Sequence, residues 1–188
     1  MKSVIENESI LIIKNSKFIC RIHQIDSKEK INKYLEQAKT DYPNATHYCY
    51  AYIIDNNMKE SDDGEPSGTA GIPILQVLQN NQLDHILCIV IRYFGKIKLG
   101  ASGLIRAYTK SVTSCLDNHI IKLNNGYLIN ITFPYSKVSS INYIISNSKI
   151  LKKEFKDLIT YQLIVTEDTL ESLKNIDIDI QITKKTYI

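Results

Sequence analysis

The chain has 188 residues, enough for one large domain or two small ones. It is 44% hydrophobic and 23% charged, an ordinary globular balance, and 23 Lys plus Arg against 20 Asp plus Glu give a net charge of +3 that by itself demands no polyanionic partner. Seven Gly and four Pro exclude a collagenous or low-complexity chain, and an uninterrupted apolar run such as Ile86 to Ile91 falls far short of the ~20 residues of a membrane span.

Glu6 and Glu8 precede only the short apolar run Ile10 to Ile13, so the opening does not read as a secretory signal. Cys20, Cys49, Cys88 and Cys115 are scattered, and there is no Cys-x-x-Cys. Neither a zinc site nor a dithiol motif follows, and the thiols read as buried and reduced in a cytoplasmic protein. No motif calls for a cofactor, a metal or a membrane partner.

The predicted elements begin with strands over Ser9 to Ile13 and Ser16 to Ile22, joined by a turn at Asn15. Asp26 and Glu29 have capping-box spacing, and Ile31, Leu35, Ala38 and Tyr42 recur at helical intervals, which predicts a helix from Ser27 to Asp41. His47 to Ile54 reads as a strand. Residues 58 to 71 read as a long polar, Gly-rich loop, followed by a short helix with Pro73 in its first turn. His85 to Tyr93 is nearly all apolar and reads as a central strand buried on both faces. A helix then runs to Asn118, with Leu104, Ile105, Tyr108, Val112, Cys115 and Leu116 on its apolar face.

Asn124-Asn125-Gly126 is a turn signal and the predicted domain boundary, separating residues 1–123 from 126–188. Beyond it come a strand (Tyr127 to Phe133), a helix (Ser136 to Ser148), strands over Ile150 to Phe155 and Tyr161 to Val165, a helix (Thr166 to Asn175) and a strand (Ile176 to Thr183). The order βαββαβ is the split-βαβ or ferredoxin-like plan, so the fold class expected is α+β in two domains.

Six of the seven glycines (Gly64, Gly68, Gly71, Gly95, Gly100 and Gly103) fall in two loops of the first domain. The first loop carries Asp62, Asp63 and Glu65 within four residues, followed by Ser67, Gly68 and Thr69. Such carboxylates either hold a hard cation or cap backbone amides and pair with Arg. Ser67 is no nucleophile elbow, because Glu65 and Thr69 stand where that motif has glycine. In the second loop Gly95 and Gly100 have P-loop spacing, but Ala101 stands in place of the phosphate-reading lysine.

What survives is a Gly-rich loop leading into a helix N-terminus, with charge of one sign around it. From Ile86 to Leu116 there is no Asp or Glu, while Arg92, Lys96, Lys98, Arg106 and Lys110 are all present, with Tyr93 and Phe94 beside them. The strip suits phosphate backbones or unstacked bases. It equally suits a solvated helix face whose cations pair with the acidic loop.

Asp62 to Leu75, followed by Arg92 to Tyr108, closely resembles the IMPACT family, including its bacterial YigZ-type members; Ser16-Lys17-Phe18-Ile19 and His47 resemble its N-terminal pattern. The family pattern usually has glycine where this chain has Lys96 and Ser102. The resemblance implies a two-layer N-terminal domain of the type shared by a small-subunit ribosomal protein and elongation factor G domain IV. It also implies a ferredoxin-like C-terminal domain similar to domain V of that factor. Eukaryotic relatives are linked to translational control and carry an additional N-terminal interaction domain that this chain is expected to lack.

The expected function is therefore non-enzymatic and cytoplasmic: regulation of translation through RNA or a ribosome-associated factor. Arg92, Lys96, Lys98, Arg106 and Lys110 would neutralise phosphates, and Gly100, Ser102 and Gly103 would present backbone N–H groups. Asp62, Asp63 and Glu65, with Ser67, Gly68 and Thr69, would face that cleft. The rivals are an enzyme acting on a phosphorylated small molecule or nucleotide, with a metal in the acidic loop, and a protein-binding regulator.

Overall fold

A computed structural model of the chain describes every residue except Asn56. It divides into two compact units, Met1–Lys122 and Leu123–Ile188.

The first unit runs β1 (Lys2–Val4), β2 (Asn7–Ile13), β3 (Ser16–Gln24), α1 (Lys28–Asp41), β4 (His47–Ile54), β5 (Asn57–Ser61), α2 (Gly71–Asn80), β6 (Ile86–Tyr93), α3 (Ala101–Leu116) and β7 (Ile120–Lys122). Five strands form one antiparallel sheet in the order β2-β3-β6-β4-β5. Lys14 and Asn15, both with positive φ (45° and 63°), make the tight turn of the β2–β3 hairpin. The short strands β1 and β7 pair with each other outside that sheet.

β6 is the axis of the unit. Ile86, Cys88 and Val90 point to one face, where they pack with α2 and α3 through Ile74, Leu78, Ala107, Tyr108 and Val112. Leu87, Ile89 and Ile91 point to the other face, where Ile31 and Ala38 of α1 cover them. An unbroken apolar run is what a strand covered on both sides requires. The unit thus has three layers, with α1 on one face and α2 and α3 on the other, rather than the expected two.

Further expectations need correction. The stretch read as loop from residue 58 starts inside β5, a polar edge strand paired with β4 from Tyr50 to Ile54. Edge strands are solvated, so neither hydrophobicity nor alternation marks them. The α1 N-cap is Ser27 rather than the capping-box Asp26, which pairs instead with Lys30 at 3.1 Å. Asn125 and Gly126 are not a turn; they open β8, opposite Tyr187 and Thr186 of the last strand.

The second unit runs β8 (Asn125–Phe133), a 3-10 turn (Tyr135–Lys137), α4 (Val138–Ile144), β9 (Lys149–Phe155), β10 (Ile159–Thr166), α5 (Glu167–Lys174) and β11 (Asp179–Tyr187). Its antiparallel sheet has the order β11-β8-β10-β9, so β10 lies between β8 and β9. Ile129, Ile131, Phe133, Ile159, Tyr161, Leu163 and Val165 alternate inward against Ile141 of α4 and Leu170 and Leu173 of α5. The last strand begins later than its Ile spacing predicts. Ile178 and Ile180 pack on the core, whereas Ile182, beside a register shift, is 50% exposed.

Candidate functional site

Strand register builds the site. Phe18 of β3 and His47 of β4 stand directly opposite Arg92 of β6. Arg92 continues the inward series Ile86, Cys88, Val90, so the alternation of β6 carries a guanidinium into the layer facing α2 and α3. It is only 4% exposed.

A buried guanidinium needs a partner, and Glu65, itself 7% exposed, supplies it: Arg92 Nη1 donates to Glu65 Oε1 at 2.5 Å. The same oxygen accepts from Tyr108 Oη of α3 at 2.8 Å. Arg92 Nη2 lies 3.4 Å from Ser16 Oγ, which also accepts from Gly95 N at 3.1 Å. The guanidinium lies over the rings of Phe18 and Phe94, 5.3 and 5.5 Å from their centroids. One ion pair thereby fastens the acidic loop, β3, β6, α3 and the start of the Gly-rich loop together.

The rest of the acidic loop is shaped by its own carboxylates. Asp62 Oδ2 accepts from Gly68 N at 2.7 Å, and Oδ1 accepts from Ala70 N at 2.9 Å and Gly71 N at 2.8 Å. The N-cap of α2, Ala70, has no side-chain cap of its own, so Asp62 caps that helix from a distance. Burial pushes its carboxyl upward, but the three N–H donors outweigh burial and hold it below the ordinary range. Asp63 Oδ2 accepts from Tyr48 N at 2.6 Å, and its carbonyl accepts from His47 Nδ1 at 2.8 Å. His47 Nε2 stands 3.9 Å from Glu65 Oε2. Thr69 is buried and bonds Pro66 O at 2.6 Å, whereas Ser67 is exposed and, among the described residues, makes no bond to His47.

Cys49 Sγ lies 3.0 Å from Asp62 O and 3.3 Å from Tyr108 Oη. Burial, partly opposed by Tyr108 and reinforced by the neighbouring carboxylates, pushes this thiol up to about 12. It stays protonated at neutral pH. Burial likewise raises the Tyr108 phenol, with Cys49 and Glu65 adding to the effect. These groups are fixed donors, not nucleophiles.

The basic strip separates into two kinds of residue. Arg92 is the buried partner of Glu65 and leaves the strip. Lys96, Lys98, Arg106 and Lys110 are exposed, and among the described residues none of them pairs with a carboxylate. Arg106 therefore does not pair with the acidic loop; Arg92 does. Gly95 carries no side chain because a Cβ there would lie 2.1 Å from Asn15 C. Lys96 has φ of 64°, a backbone that favours glycine by about 1 kcal/mol, so a cation occupies a strained position. Gly100, with φ of 72°, opens α3; Ser102 is exposed and Gly103 half-buried behind it.

The acidic loop is poorly disposed to hold a metal, since Asp62 and Glu65 are committed to N–H and guanidinium donors. Among the described residues a different trio, Asp55, Asp84 and His85, brings one possible ligand atom each to within 4.8 Å of one another.

Sequence reasoning missed Ser16, Phe18, Cys49 and Tyr108 as members of the Glu65 cluster. The available signal was the alternation of β6, which puts Arg92 in line with Val90.

A three-layer α+β unit whose Gly-rich loop is anchored by a buried acid–base pair defines a recognisable class. Residues 14–116 match the Impact N-terminal domain family. The chain is 35% identical over 195 positions, covering 96% of it and 89% of the relative, to the IMPACT family member YvyE of Bacillus subtilis. It is 33% identical over 172 positions, 87% of this chain and 83% of the relative, to an IMPACT family member of Haemophilus influenzae. A match to YigZ of Escherichia coli reaches 37% identity over 55% of this chain and 53% of that protein. The chain belongs to the IMPACT family. Its fold is shared by a hypothetical protein of known crystal structure, with a TM-score of 0.64, 23% identity and 97% of each chain covered.

Proposed function

We propose that this protein acts in the regulation of translation, as a non-enzymatic cytoplasmic protein that binds RNA or a ribosome-associated surface at Lys96, Lys98, Arg106 and Lys110. The observation that carries this reading is the stretch from Ile86 to Leu116: it has no carboxylate, and its four cations outside the core are exposed. Unpaired surface cations around a glycine-opened helix attract a polyanion. No helix among the described residues is long and apolar enough to cross a membrane.

Domain types follow from the same reading. The second unit, βαββαβ with strand order β11-β8-β10-β9, supports a ferredoxin-like domain. The first is the IMPACT-type domain. The enzyme alternative loses its main support because Asp62 is hydrogen-bonded to amides of its own loop and Glu65 is bonded to Arg92 and Tyr108.

The test is an RNA titration at several salt concentrations. For the parent, log affinity falls steeply with log salt. Arg106→Ala with Lys110→Ala weakens binding across sequences and reduces the slope by about 1 per lost phosphate contact. Equal slopes and affinities would remove the strip from the site. Turnover of a nucleotide panel with Mg²⁺ would favour the enzyme instead.

A further inference from the structure

We infer that the strip takes single-stranded RNA rather than a duplex, with the outer face of Phe94 as the platform on which an unpaired base stacks. This rests on the RNA reading above and names the form of RNA that the surface fits.

Phe94 is 43% exposed although it directly follows the most buried strand of the unit. Its position is nonetheless fixed. The Arg92 guanidinium lies over the ring, 5.5 Å from the centroid, and is itself clamped by Glu65. The Phe94 amide donates to Thr46 Oγ1 at 3.0 Å, and the next amide, of Gly95, donates to Ser16 Oγ at 3.1 Å. A ring held this way, with a cation against one face and solvent on the other, is pre-organised for a flat partner, and little ordering accompanies binding.

The surroundings repeat the theme. Ile97 is 45% exposed and Ile105 41%, and they are interspersed in sequence with the exposed Lys96, Lys98 and Arg106. Four exposed cations alone would suit any phosphate backbone. Exposed apolar groups among cations suit a ligand that presents flat apolar faces and phosphates alternately, as an unpaired strand does. A duplex RNA hides its base faces in the stack and offers side chains mainly phosphates and 2′-hydroxyls, leaving Phe94, Ile97 and Ile105 nothing to cover. Stacking is also tolerant of sequence, so this platform would accept any unpaired base.

The experiment uses the full chain, a short oligouridylate, the same length of RNA closed into a duplex, and an oligouridylate carrying one 2-aminopurine. The single strand should bind at least ten-fold tighter than the duplex. Phe94→Ala should weaken single-strand binding about ten-fold or more while leaving the salt slope unchanged, because a ring contributes no counterion release. Phe94→Tyr should restore it. Phe94→Leu, which keeps apolar bulk for folding, should behave as Phe94→Ala and abolish the 2-aminopurine quenching seen with the parent.

Equal binding of duplex and single strand, or full affinity and quenching in Phe94→Leu, would overturn the inference and leave the RNA reading standing. Failure of every RNA to bind would defeat both. Binding of a polyglutamate peptide as tight as that of RNA would reassign the surface to an acidic protein partner and overturn both.

Discussion

Glu65 and Arg92 are 27 residues apart in sequence and 2.5 Å apart in space, each almost wholly withdrawn from solvent. Two charges removed from water are held there by mutual attraction and by the bonds from Tyr108 and to Ser16. The pair ties the acidic loop to the central strand, so its influence on the Gly-rich loop is positional.

Breaking this pair from one side should cost about 3–5 kcal/mol, because a lone charge stays buried. We expect Glu65→Leu and Arg92→Met each to lower the urea midpoint strongly, and the double variant to lose clearly less than the sum of the two. Additive losses would show that the two side chains stabilise the fold independently.

Gly95 and Gly100 separate two reasons for having no side chain. Gly95→Ala sets a Cβ 2.1 Å from the Asn15 backbone, which cannot yield, and should cost about 3 kcal/mol or more. Gly100→Ala meets open space but keeps φ at 72°, so only about 1 kcal/mol should be lost. Chemical denaturation of both variants ranks them; the reverse order would be incompatible with the packing of Gly95 on Asn15.

Asp62 makes stability depend on acid. Its folded pKa lies below the ordinary value of 3.8, so its bonds to Gly68, Ala70 and Gly71 contribute fully above that value. The contribution is lost as pH falls through the depressed folded pKa. Urea midpoints measured from about pH 5 down to about pH 2 should decline, and Asp62→Asn should flatten part of the decline. An identical acid profile in the variant would discount those three bonds.

The thiols should be silent in the native protein. Cys20, Cys49, Cys88 and Cys115 all have no accessible surface, and burial raises Cys20 and Cys49. A disulfide reagent at pH 8 should report no rapid thiol in the folded chain and four in denaturant. A fast-reacting thiol in the native state would contradict the packing around β3 and β6.

Much of this architecture was legible. β4 and the extent of α1 follow from apolar spacing, and the burial of β6 on both faces follows from its composition. β5 was not legible, since Asn57–Ser61 is polar and earns its strand only by pairing with Tyr50 to Ile54. The three-residue strands β1 and β7 lack any local signal, because only their mutual pairing defines them. In the site, the sequence left open whether the acidic loop meets a metal or an arginine, and which arginine, and it assigned Arg92 to the phosphate-binding strip. Charge dominated that reading, whereas strand periodicity decides the direction of the side chain. Tyr108 was read as apolar filling; its hydroxyl role depends on the approach of α3 to a loop 43 residues away.

The position of β6 also governs how the chain is born. β3 and β4 do not pair with each other; each pairs with β6, which follows both in sequence. As the polypeptide leaves the ribosome, the residues ahead of β6 hold two apolar strands with a vacant lane between them. The sheet closes only when the last central strand slides into that lane. Until then both open edges are available to other chains, so the interval before β6 emerges from the ribosome is the one in which chaperone protection and local translation speed bear most on yield.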